Sequence, residues 1–282
     1  VLNVKAHMRI RTILLQRSSV KSLTFLGDMF DGVQCPCILL QLIATGKPLS
    51  TAGMMIEDRT RTYTIAMERT VVPENFSFRM TDEEYRVLEK IKNSIPVCYL
   101  ADHADFALGI VTGNNKKFLS AEKTENSEMV LKGTDICKYH INPEKQYLRF
   151  EPEQFQQVAP LEIYRAPEKL LYRFISNQLV VAYDDRQMLS LNSCNIVIPK
   201  IEGMQIKYIL AILNSSVSQF VYQKEFHSIK VLRAHMEHIP IPRVGKAIQN
   251  EIIAMTEPLI CGMGKELSLI HISEPTRPEP IS

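Results

Sequence analysis

Apolar positions recur along this chain at two spacings, and the switches between them mark out its elements. Residues 1–19 carry Val4, Met8, Ile10, Ile13, Leu14 and Leu15 in a roughly helical stripe, with Lys5, Arg9, Arg11 and Arg17 around it. This predicts an amphipathic helix, broken by Ser18 and Ser19. Residues 23–29 and 35–43 read as two strands joined by a turn-rich link at 27–32. The second strand is almost wholly apolar, the pattern of a strand buried on both faces. A polar linker at 45–53 leads to a loosely alternating stretch, 54–67, expected to form a strand pair. Thr81-Asp82-Glu83-Glu84 has the form of a capping box, with Thr81 and Glu84 each satisfying the other's amide. The helix it opens carries Tyr85, Leu88, Ile91 and Ile95 and is stopped by Pro96.

Residues 106–118 combine a short apolar strand, 106–111, with a turn, Thr112-Gly113-Asn114-Asn115, followed by Lys116, Lys117 and Phe118. Gly and Asn tolerate positive φ and let backbone approach a ligand closely. Beyond it, 122–130 is a charged loop, 131–136 a turn, and 146–150 a strand. Short strands follow at 179–183 and 195–198, with Asp184-Asp185-Arg186 as a turn between them. The strongest helix of the second half spans 206–220, a short one lies within 229–238, and a last one covers 244–259. Ile239-Pro240-Ile241-Pro242 is an extended stop, because each Pro removes a donor.

Composition narrows this picture only a little. The 282 residues are 45% hydrophobic and 23% charged, which are globular values and enough for one large or two ordinary domains. The six cysteines, at 35, 37, 98, 137, 194 and 261, form no disulfide framework, so reduced thiols and a cytoplasmic location are expected. No run of 18 apolar residues marks a membrane span. Net charge is +2, and residues 106–242 hold 16 Lys and Arg against 14 Asp and Glu. Any site for a polyanion must therefore be a local patch rather than a global field.

Five separated pieces, in order, carry a resemblance: 106–118, Leu131-Lys132-Gly133-Thr134-Asp135-Ile136, Pro167-Glu168-Lys169-Leu170-Leu171-Tyr172-Arg173, residues 208–215, and residues 226–230 through Ile239-Pro240-Ile241-Pro242. Together they resemble the C-terminal part of adenine-specific (N6) DNA methyltransferases of the TaqI type, including the fused Type IIG restriction-modification enzymes. The resemblance implies an α/β (α+β) chain. Residues 1–45 would be the remnant of the end of a Rossmann-like methyltransferase sheet, and 46–105 a linker with connecting strands and a helix. A mixed α+β target recognition domain would follow at 106–242 and a C-terminal helix at 243–266. Residues 267–282 look like a translated sequencing adapter. With Val1 as first residue, this is what a fragment of a longer reading frame is expected to look like.

The implied partner is double-stranded DNA, with contact to a catalytic domain upstream and no membrane. The implied cofactor, S-adenosylmethionine, belongs to the longer parent. The family's Asn-Pro-Pro-Tyr motif and its Gly-rich cofactor loop are both missing here, and the only Pro among the first 45 residues is Pro36. Methyl transfer needs the base flipped into such a pocket, so the parent is expected to be the enzyme and this chain alone to be inactive. Candidate DNA contacts are Asn114, Asn115, Lys116 and Lys117 in the turn, Lys132, the 4-and-4-spaced Arg165, Lys169 and Arg173 as a basic helical stripe, and Lys230 and Arg233 near a helix start. Arg149 could add a phosphate contact, but it reads first as solvated surface.

Two other chemistries are set against these. His227, His235 and His238 lack a fourth metal ligand, and Cys35-Pro36-Cys37 is too closely set for a zinc half-site and reads as core. Asp184-Asp185 with Glu151 or Glu153 would be the carboxylates of a metal-dependent nuclease, or simply a turn. A non-catalytic protein-interaction module remains the other alternative, kept open by the near-neutral charge.

Overall fold

The computed structural model describes residues 7–32, 36–73, 76, 78–226 and 228–262. Cys35, His227 and the adapter-like stretch 267–282 lie outside them. The chain divides into two compact units: 1–94 with 223–227, and 95–222 with 228–282. Both are mixed α+β.

The first unit opens with helix α1 (Met8–Arg17) running directly into β1 (Ser18–Asp28). Strand β2 (Pro36–Ala44) returns antiparallel, and β3 (Met55–Glu57) joins β1 in parallel and pairs with β4 (Thr62–Thr64). The sheet order is β2-β1-β3-β4. Val20 and Leu23 on β1 pack with Met54, Ile56, Ile65, Phe76 and Phe78 into the unit's core. The apolar β2 is not buried on both faces as its composition leads one to expect. It is an edge strand, with Leu39 59% and Ile43 52% exposed. An apolar run reports what a strand can bury, not what covers it.

Helix α2 (Asp82–Asn93) starts at the capping box read from sequence: Thr81 N donates to Glu84 Oε2 at 2.8 Å and Glu84 N to Thr81 Oγ1 at 3.3 Å. Glu84 also accepts from Arg61 at 2.9 Å and Lys224 at 2.6 Å. Burial opposes ionisation of Glu84, but these hydrogen bonds outweigh it and hold the carboxyl down at about 2. Asp58, likewise against its burial, is held at about 2 by Thr60 and the Arg61 amide. The unfolded chain therefore takes up protons at a higher pH than the fold does. The stability these groups confer is complete above their ordinary values of 4.5 and 3.8 and is lost as pH falls toward about 2. An acid titration followed by circular dichroism should show it, with Arg61→Ala moving the midpoint to higher pH.

The second unit is built on two four-stranded sheets. One has the order β11-β10-β13-β6, all antiparallel, from β6 (Ala104–Ala107), β10 (Lys169–Arg173), β11 (Val181–Asp184) and β13 (Cys194–Pro199). The other has the order β12-β8-β9-β7, from β7 (Leu119–Ser120), β8 (Ser127–Leu131), β9 (Tyr147–Arg149) and β12 (Leu189–Ser190). One core serves both: Leu171, Ala182 and Ile196 of the first sheet pack with Val130, Leu131, Leu148 and Leu189 of the second. The apolar stretch at 206–220 is two helices, α5 (Ile206–Asn214) and α6 (Ser216–Glu225), parted at Ser215. Short α7 (Arg233–Glu237) and the longer α8 (Lys246–Ile260) follow, and β14 (Ile241–Pro242) pairs with β5 (Val97–Cys98).

Candidate nucleic-acid interface

The stretch 106–118 enters as an edge strand and leaves as a loop that presents cations. Phe106 and Ala107 belong to β6, while Ile110 and Val111 make single bridges to Leu191 and Gln157. At Gly109 the backbone passes so close to the β12–β13 turn that a Cβ would lie 2.0 Å from the Leu191 carbonyl oxygen. Gly113 takes φ +75°, which only glycine adopts cheaply, and reverses the chain. Asn114 caps the one-turn helix α3 (Asn115–Phe118), accepting from Lys117 N, and Asn115 Oδ1 accepts from Thr112 Oγ1 at 2.6 Å. Phe118 anchors the turn in the core, edge-on to Phe155 at 5.2 Å.

Lys116 and Lys117 are thereby held at the surface. Lys117 donates to Gln154 at 2.7 Å, whereas Lys116 has no hydrogen-bond or ion-pair partner among the described residues. Beside it opens a cleft of about 360 Å³, walled by Asn115, Lys116 and Leu119 on one side. Lys132, Gln146 and the Leu191-Asn192-Ser193 turn complete it. Lys132 is paired with Glu144 at 2.7 Å, and that hydrogen bond raises its pKa. Three of the residues singled out in the sequence thus meet in one place. Gln146, Asn192 and Ser193 do not stand out in the sequence; Asn-Ser between two short strands is an ordinary turn dipeptide.

Lys230 and Arg233 form a separate group in the same unit, each against an aromatic ring. The Arg233 guanidinium lies 5.1 Å from the centre of Phe106 and is paired with Glu237 at 2.7 Å. The Lys230 ammonium lies 6.0 Å from the centre of Phe174. Arg165 donates to Glu128 at 2.6 Å and to the Gln187 carbonyl at 2.7 Å.

The basic stripe of Arg165, Lys169 and Arg173 does not form. Helix α4 (Leu161–Tyr164) ends before Arg165, Pro167 interrupts, and residues 169–173 are strand β10. Lys169 points into the protein with no exposed surface, paired with Asp184 and donating to the Tyr164 carbonyl at 2.6 Å. It cannot meet a phosphate. Burial lowers its pKa, and the Asp184 carboxylate pulls the other way. Arg173 is half-buried and donates to the Ile136 carbonyl at 2.7 Å.

The same pair removes Asp184 from any acidic centre, since its oxygens also accept from Arg186 N and Met188 N at 2.9 Å. Glu151 is taken by Arg149 at 2.7 Å. No group of three His, Cys, Asp or Glu residues is placed to hold a metal ion among the described residues. His235 packs edge-on to Tyr222, and burial pushes its pKa down to about 4. No helix among the described residues is long and apolar enough to cross a membrane.

Comparison with known proteins agrees with the resemblance carried by the sequence motifs. Residues 128–241 match the profile of the TaqI-like C-terminal specificity domain. No curated protein matches the chain. Among solved structures, the Type IIL restriction-modification enzyme MmeI in complex with DNA is similar at 9% identity, over 90% of this chain and 41% of that one, with a TM-score of 0.52. The HsdS subunit from Thermoanaerobacter tengcongensis matches at 12% identity over 68% of this chain and 46% of its own (TM-score 0.41), and the Type IIG endonuclease BpuSI at 8% over 90% and 40% (TM-score 0.39). The chain spans less than half the length of these structures.

Proposed function

We propose that this chain is the DNA target recognition part of an adenine-specific methyltransferase of a restriction-modification system. It grips duplex DNA at the cleft beside α3 and positions the target adenine for methylation by a catalytic domain upstream. The observation that carries the reading is the convergence of Asn115, Lys116 and Lys132 on one cleft within the unit that holds the specificity-domain match. Ammonium groups there would neutralise phosphates, while uncharged amides would face base edges. The antiparallel β1–β2 pair after α1 supports reading residues 1–45 as the close of the catalytic sheet.

The first unit does not fit S-adenosylmethionine. Strands β1, β2 and β3 each lead into another strand, and β4 reaches α2 across a stretch without glycine. None offers a glycine-rich turn opening a helix, so no step of methyl transfer is assigned to these residues.

Salt dependence tests the grip. With Lys116, Lys117 and Lys132 as contacts, log affinity for duplex DNA should fall against log salt with a slope of about −2 to −3. A flat response would replace the phosphate-gripping reading with that of a protein-binding module.

A further inference from the structure

The polar groups of the cleft are not all committed. Lys132 is occupied by Glu144, and Asn115 Oδ1 by Thr112. Gln146 and Asn192 are different. The Gln146 main-chain carbonyl accepts from Val130 N, but its side-chain Oε1 is buried with no hydrogen-bond partner among the described residues. A buried carbonyl without a donor is a destabilising arrangement that turning the Gln146 side chain outward to a ligand's N–H would relieve. The Asn192 carboxamide is exposed and has no side-chain partner among the described residues. Lys116 beside them is the one uncommitted ammonium of this cleft.

The turn that carries Asn192 is also held in place. Gly109 packs under Leu191, and Gly133 lies so near Ser193 that a Cβ there would stand 2.5 Å from its carbonyl oxygen. Gly133 N donates to Ser193 Oγ at 2.9 Å. A carboxamide on a fixed turn presents one donor and one acceptor at a set place. That suits a base edge, which offers the complementary pair, and not a phosphate, which offers acceptors alone. Being uncharged, the two carboxamides add nothing to sequence-blind attraction.

We propose that Gln146 and Asn192 are specificity-determining residues that read a base edge in this cleft, with Lys116 holding the adjacent phosphate. This rests on the DNA-binding reading above. The test uses the 282-residue chain and a pool of duplexes with randomised positions, comparing wild type with Gln146→Glu, Asn192→Ala and Lys116→Ala, each first checked for an unchanged thermal melt. Asn192, exposed on its turn, keeps the test open should Gln146→Glu fail to fold.

The expected result is that wild type enriches a sequence. Gln146→Glu and Asn192→Ala then relax or change the preference at one position by roughly tenfold or more. Gln146→Glu, which brings a carboxylate into the cleft, also weakens binding of the unselected pool, whereas Asn192→Ala changes no charge and leaves the salt slope as in wild type. Lys116→Ala weakens every sequence alike and lowers the salt slope by about one. Enrichment by wild type with the same preference in both carboxamide variants would overturn the assignment and leave DNA reading intact. Binding of the pool without enrichment would overturn it too, leaving only the grip. Absence of any duplex binding would overturn the DNA reading itself.

Discussion

Lys169→Met is expected to destabilise the second unit by about 3–5 kcal/mol, the cost of leaving a buried carboxylate without its counter-charge. Both side chains of the Lys169–Asp184 pair are fully buried. Methionine fills much of the lysine's volume but cannot donate, so Asp184 and the Tyr164 carbonyl each lose a hydrogen bond. Adding Asp184→Asn should recover part of the loss, because the remaining group is neutral and its one oxygen can still accept from Arg186 N, although the bond that Asp184 Oδ2 accepts from Met188 N is given up. Urea denaturation of the two variants measures this. Equal stability of Lys169→Met and wild type would show that the pair is solvated after all. Such a loss through folding is also distinct from what a DNA contact would show, which is weakened binding by a protein of normal stability.

The second large effect is expected at Gly109. An alanine Cβ there would sit 2.0 Å from the Leu191 carbonyl oxygen and 2.7 Å from that of Cys194. Both obstacles are backbone, on a turn tied by the Ile110 N to Ser190 O and Asn192 N to Ile110 O hydrogen bonds, so no side chain can rotate away. Gly109→Ala should cost about 3 kcal/mol, the upper end of ordinary overpacking. It should also blunt any sequence preference that depends on Asn192, since the turn must move. Thermal melting checks the first effect, and a melt unchanged from wild type would count against the close approach. Gly113→Ala provides a milder comparison, because φ +75° strains an L residue but its nearest neighbour is the Gln156 side chain at 3.3 Å.

What the sequence made legible was local. The capping box at Thr81 needs only a three-residue spacing, and the structure reproduces both of its hydrogen bonds. The turn at 112–115 is readable for the same reason, since Gly113 and Asn114 fix their own backbone. Lys169 was illegible because its spacing from Arg165 and Arg173 fits a helix equally well. Only the pairing of β10 between β11 and β13 turns it inward. Strand β2 failed in the opposite sense, being apolar enough for a sheet interior and yet at its rim. The cleft draws on residues 115, 116, 119, 132, 146 and 191–193, and no spacing within one segment announces such a meeting.

The position of β2 has a practical corollary. Among the described residues β2 is an outermost apolar strand, whose main-chain donors and acceptors on that side, along with Leu39, Leu42 and Ile43, make it a template for pairing with a second molecule. Strongly excluded salts such as sulfate would strengthen pairing of that kind, even as ionic strength loosens a grip on phosphates. The two responses would run together in a sulfate series and look like one. A chloride series on dilute protein keeps colloidal behaviour apart from recognition.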